Sequence, residues 1–136
     1  MNGLWKVVAV LIASLLLIAG AVFGLGDRGV LVSPPEAVAE NFMRALSTGR
    51  YDMALPYLSD GLARTTDAAS LKAYKDRLEA KTGAIEEVKG ENGRILGEQA
   101  VADAVLKTER AGEVTVPLRM ERSEGEWTIR HIGEIQ

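Results

Sequence analysis

The chain has no cysteine and a single histidine, His131. The first absence excludes a disulfide framework, a thiolate metal site, a cysteine nucleophile and a lipid-modified cysteine. The second excludes a metal site built from several histidines. Charge is missing over one long stretch: Val7–Gly26 has no charged side chain, and its only polar one is Ser14. Beyond Gly26, 15 of the 16 Lys and Arg face all 19 Asp and Glu, a net charge of −4. A segment without clustered positive charge is not built to bind nucleic acid or an anionic membrane surface. Phosphate loops and Ser-His-Asp spacing are absent as well.

What is present begins with that uncharged stretch. A helix of its length, at ~1.5 Å per residue, spans about 30 Å, the thickness of a bilayer's hydrocarbon core. Lys6 precedes it and Trp5 sits where an interfacial aromatic would, so the positive-inside bias leaves the N-terminus in the cytoplasm. The spacing therefore predicts a single-pass anchor over 1–26, a tether over 27–33 and an extracytoplasmic domain over 34–136. The alternative is a cleaved signal peptide, with Val7–Ile18 as its apolar region and Ala19-Gly20-Ala21 as the cleavage site. The apolar run continues through Val22, Phe23 and Leu25, which a cleaved signal does not need. Either reading delivers the rest of the chain across the membrane. Gly20 and Gly24 make a G-x-x-x-G pair that can bring two helices together, although such spacing arises easily in an Ala- and Gly-rich span.

The exported part reads as helices followed by strands. Ser33-Pro34-Pro35-Glu36 predicts a capped helix start, and Val38, Phe42, Ala45 and Leu46 follow at helical spacing, with Gly49 as the stop. A shorter helix is expected over Tyr51–Leu58, made irregular by Pro56. Asp60-Gly61 reads as a break before a third helix, capped by Thr66 or Asp67, with Leu71, Tyr74 and Leu78 as its stripe. After Gly83 the period falls to two. A first strand starts at Ile85 and Val88, Glu91-Asn92-Gly93 reads as a turn, and Ile95-Leu96 adds a few paired residues. Ala100–Glu109, then Val114 to Met120, then Trp127, Ile129 and His131, with Ile135 as an optional extension, read as three more strands, turning at Ala111-Gly112 and at Ser123–Glu126. Pro117, with no N–H, is expected at an edge or a bulge. This order implies an α+β fold, two or three helices on one face of a four-stranded antiparallel sheet.

The helical half, Ala39-Glu40-Asn41-Phe42-Met43-Arg44-Ala45-Leu46, then Gly49-Arg50-Tyr51, Ala54 and Tyr57-Leu58, resembles the opening helices of the nuclear transport factor 2-like superfamily. Gly125-Glu126-Trp127-Thr128-Ile129 is similar to the start of that superfamily's last strand. The resemblance covers roughly Pro34–Ile135 and is strongest to short, membrane-attached or secreted bacterial domains. Many of those are lipoproteins, and this chain lacks their cysteine. The resemblance implies a cone, a curved sheet wrapped around the first long helix with a pocket open at one end. Enzymes on that fold, such as ketosteroid isomerase and polyketide cyclases, hold an acid or a His-Asp pair inside the cone. Other members bind small molecules or dimerise through the sheet.

Two residues are candidates for such chemistry. Unbroken alternation puts His131 on one strand face with Trp127 and Ile129, where an imidazole would suit acid–base work. Its bland alternative is a half-buried strand histidine bonded to a backbone carbonyl or facing water. Asp103, between Val101 and Val105, could be a carboxylate in an apolar wall. Against that, Lys107 and Glu109 are in phase with it, while Ala102, Ala104 and Leu106 fit a core face. Phe42, Tyr51, Tyr74, Trp127 and Ile129 are the expected pocket residues, with Tyr57 a further aromatic nearby; aromatics at helical spacing more often belong to a core. Glu86, Glu87, Glu91 and Glu98 form an acidic run without calcium-loop geometry, so neither a metal nor a cofactor is expected. Taken together, the residues predict a membrane-anchored, non-catalytic extracytoplasmic domain that binds a partner envelope protein or a small apolar ligand, with homodimerisation as a further option. The alternative is an isomerase- or cyclase-like enzyme using Asp103 and His131.

Overall fold

Helix α1 (Pro35–Ser47) forms because Val38, Ala39, Phe42, Met43 and Leu46 recur at helical spacing, and all five are buried. These coordinates are a computed structural model that describes Ser33–Gln136. The anchor expected over Val7–Gly26 lies outside the described residues, as does all of the tether before Ser33. No helix among the described residues is long and apolar enough to cross a membrane.

The expected capping box does not form. Pro34 is the N-cap, no side chain caps the first turn, and Pro35 fills the first helical position where its missing N–H costs nothing. The carboxylate of Glu36 lies over Gly93 instead. The helix ends as expected at Gly49, with φ +76°: Gly49 donates its N–H to the Leu46 carbonyl (3.1 Å) and Arg50 to the Ala45 carbonyl (2.9 Å). Those paired bonds satisfy carbonyls the last turn would leave open.

The expected second helix splits at its proline into α2 (Tyr51–Ala54) and a 3-10 turn over Leu55–Tyr57. Asp60-Gly61 does not break the chain. It opens a one-turn helix, α3 (Asp60–Ala63), because Ser59 Oγ accepts the Leu62 N–H at 3.2 Å. Helix α4 (Ala68–Thr82) is capped by Asp67, whose carboxylate accepts the Ser70 N–H at 2.8 Å.

Four antiparallel strands follow in sequence order: β1 (Ile85–Leu96), β2 (Gln99–Thr108), β3 (Gly112–Ser123) and β4 (Glu126–Ile132). The inward faces of β2, β3 and β4 carry Ala102, Ala104, Leu106, Val116, Leu118, Met120, Trp127 and Ile129, all buried. Helix α1 packs on this side, against β1 and β2. The α+β expectation of helices on a four-stranded antiparallel sheet therefore holds.

Three details differ from the sequence expectation. Asn92-Gly93 is not a turn; β1 runs through it with a break in register between Glu91 and Arg94, and Asn92 adopts φ +56°. The chain reverses instead at Gly97-Glu98, where Leu96 pairs with Gln99 and Gly97 takes φ +67°. A positive φ at only the first loop residue suits a two-residue hairpin. In β4 the register shifts so that Met120 pairs with Ile129 but Arg119 pairs with His131, leaving Arg130 as an extra residue. Finally, Ile135 is not in β4; the chain continues beside β3 through a reciprocal pair of backbone bonds between Gln136 and Thr115 (2.9 and 3.1 Å). Pro117 sits in an interior strand, where its missing N–H would point toward β4. That ladder has just ended there, and Gly133 donates to the Pro117 carbonyl at 2.7 Å.

Candidate functional site

The bulge at Arg130 decides where His131 goes. A one-residue insertion exchanges the two faces of every residue after it. His131 therefore lies opposite Arg119 on the outer face of the sheet, exposed, while Trp127 and Ile129 stay on the inner face. The expectation that these three share a face is corrected. Asp103 also lies on the outer face, across from Glu91 and Pro117, with its carboxylate accepting from Asn92 Nδ2 at 2.9 Å. Both groups of the expected acid–base pair thus stand on the side of the sheet away from the helices, not in a cavity between helix and sheet.

The expected pocket residues are placed differently again. Phe42, Trp127 and Ile129 are buried in the packing between helix and sheet. Trp127 is covered on one ring face by the Arg122 guanidinium, 4.5 Å from the ring centroid. Tyr51 and Tyr74 are half-buried. Tyr74 borders an open groove of about 350 Å³ between α4 and the C-terminal residues. Burial pushes its phenol up to about 12.

A groove of about 610 Å³ runs along β1 beside the C-terminal half of α1. Its position follows from the way α1 lies on β1. The N-terminal turns of the helix press on Gly90 and Gly93, and Glu40 accepts the Gly90 N–H at 3.0 Å. That amide points away from β2, so by the alternation of an antiparallel ladder the N–H and C=O of Val88 also point away from β2. Val88 borders the groove, as do Arg44, Ser47 and Thr48 from the helix. Its remaining walls bring Lys89 and Lys107 near Glu86, Glu87, Glu91 and Glu113. Lys89 and Glu91 stand 3.5 Å apart.

Glu40 closes the far end of this open edge. The amide donated by Gly90 holds its carboxyl below the usual carboxylate range, against a smaller effect of burial and with help from the Arg44 guanidinium. Its ion pair with Arg44 spans 2.6 Å. The groove can therefore offer backbone hydrogen bonds over a short length together with charges of both signs. The sequence concealed this site because it depends on where a helix crosses a strand; Gly90 and Gly93 were its only local trace. The acidic run was legible, but its glutamates lie among lysines. Among the described residues, no group of three or more acidic or histidine side chains could hold a metal ion.

The sequence matches no protein-family model and no curated protein. The structure is similar to that of a SEC-C motif containing protein from Rhodopseudomonas palustris, with a TM-score of 0.57 and 11% identity over 86% of this chain and 88% of that one. It is also similar to a protein described as an NTF2-like transpeptidase from Campylobacter jejuni, with a TM-score of 0.56 and 16% identity over 73% and 99%. A DUF4783 family protein from Bacteroides ovatus gives a TM-score of 0.50 and 14% identity over 70% and 90%. At these identities the likeness establishes an NTF2-like α+β fold and does not extend to activity.

Proposed function

We propose that this chain is a membrane-anchored, non-catalytic NTF2-like domain outside the cytoplasm that holds a partner envelope protein in the groove along β1. The observation carrying this reading is the contrast between the two sides of α1. Toward the sheet, Val38, Ala39, Phe42, Met43 and Leu46 are buried in close packing among the described residues. Toward the edge of β1, a groove of about 610 Å³ stays open and is lined by charge of both signs. An extended segment of a protein fits such a surface better than a small apolar ligand does, since exposed strand backbone and flanking charge are what strand addition uses. The non-catalytic part rests on the outward placement of Asp103 and His131, which share no cavity. The anchor rests on the uncharged length of Val7–Gly26.

A photo-reactive residue introduced at Thr48 or Glu86 tests the groove in intact cells. A discrete adduct from these positions and none from Arg130 is expected. Equal labelling at all three removes the groove as the binding site. Fractionation tests the anchor: the full chain should stay with membranes through a high-salt wash, with residues 27–136 open to protease added from outside. A soluble exported form beginning near Val22 would replace the anchor with a cleaved signal.

A further inference from the structure

Only three large hydrophobic side chains among the described residues are strongly exposed, and two are neighbours: Ile95 at 54% and Leu96 at 56%. They close β1 just before the Gly97-Glu98 turn. Ile95 pairs with Ala100 and Leu96 with Gln99, so one side chain projects from each face of the same narrow hairpin. The two aliphatics lie outside this domain's core and give the hairpin an apolar tip.

The path of the chain indicates what that contact is. Helix α1 runs antiparallel to β1, with Glu36 against Gly90 and Gly93 while Ser47 and Thr48 lie near Ile85 and Val88. Ser33 and Pro34, which lead into Glu36, therefore lie at the end of β1 that carries Ile95 and Leu96. Residues 27–33 separate Ser33 from the uncharged segment and can reach at most about 25 Å when fully extended. The other turn at this end, Glu124-Gly125, is acidic and belongs to the opposite edge of the sheet. Glu98 itself is met by Arg122 at 3.7 Å.

We propose that Ile95 and Leu96 rest in the interfacial layer of the lipid bilayer, seating the domain on the membrane by its β1 edge. This inference depends on the anchored reading of the chain and adds a second, reversible contact to it. Apolar side chains in such a layer lie about 5–10 Å deep, at the boundary between headgroups and acyl chains. Neither side chain of the pair carries a charge, so the contact draws on apolar burial.

The absence of cysteine makes a direct test simple. The full chain carrying Glu98→Cys or Ala111→Cys is labelled with a polarity-sensitive fluorophore, Ala111 lying in the β2–β3 loop at the other end of the sheet. Each protein is placed in phosphatidylcholine vesicles containing a lipid nitroxide. The expected result is flotation of both proteins, with the label at 98 quenched and the label at 111 unaffected. Replacing Ile95 and Leu96 together by Ser should abolish the quenching at 98 without preventing flotation. Flotation with equal quenching at 98 and 111, or quenching that survives the double serine change, overturns the lipid contact and leaves the anchor standing. Failure to float overturns the anchor, and the lipid contact falls with it.

Discussion

The backbone carbonyl of Glu36 occupies the space that a β-carbon on Gly90 would need. Such an atom would overlap the carbonyl oxygen outright, and it would lie 2.7 Å from the carbonyl carbon and 3.2 Å from Glu40 Cβ. The helix can cross the strand this closely only because position 90 has no side chain. That crossing sets the position of Glu40, the blocked length of the β1 edge and the open groove beyond it.

Gly90→Ala should therefore destabilise the domain by about 3 kcal/mol, the upper range for forcing atoms into a packed contact, because the obstruction is backbone and cannot swing aside. Gly61→Ala provides the contrast. No atom lies within 4 Å of a β-carbon there, and in a helix the change should gain about 0.5 kcal/mol. Urea denaturation of the two variants measures both effects.

Glu40 carries a pH dependence. Its folded carboxyl is held below its unfolded value by the Gly90 amide and then by Arg44. A depressed carboxyl contributes stability that is present above the unfolded value of 4.5 and is lost as pH falls through the folded value. Glu40→Gln should lower stability at neutral pH and flatten the acid side of the stability curve. Denaturation midpoints between pH 7 and pH 3 decide it; parallel curves for the two proteins would refute the assignment.

Tyr74 acts at the other end of the scale. Burial raises its phenol from 10.0 to about 12. The fold favours the neutral phenol, so stability should fall as pH rises from 10 toward 12, where the unfolded chain ionises first. Ultraviolet titration should find a late-ionising phenol, and Tyr74→Phe should remove that phase together with its share of the alkaline loss.

Asp103→Ala and His131→Ala should each change stability by less than about 1 kcal/mol, as expected for outer-face positions. Neither should reduce crosslinking from Thr48 or Glu86. A loss of adduct in either variant would return these residues to the functional site and reopen the enzymatic reading.

Much of the architecture was legible because its signals are local. The stripe through Val38, Phe42 and Leu46, the stop at Gly49, the Asp67 cap and the reversal at Glu124-Gly125 each involve only near neighbours in the chain. A side chain or a glycine at the right spacing determines the outcome by itself. Ala102, Ala104 and Leu106 announced the core face of β2 in the same way.

The candidate site was not local. Arg130 looks like any alternating strand residue, and only the pairing of Arg119 with His131 beside Met120 with Ile129 makes it the inserted one. Asn92-Gly93 carries a strong turn signal, yet it forms only an irregularity within β1, with α1 lying over Gly93 and the reversal at Gly97. The sequence by itself determined the order of the two long helices and the four strands, and which stretch carries no charge, since these follow from spacing along the chain. Only the tertiary structure decided the face of His131, the purpose of Gly90 and the groove beside Val88, because each is set by the register or distance between segments far apart in the chain.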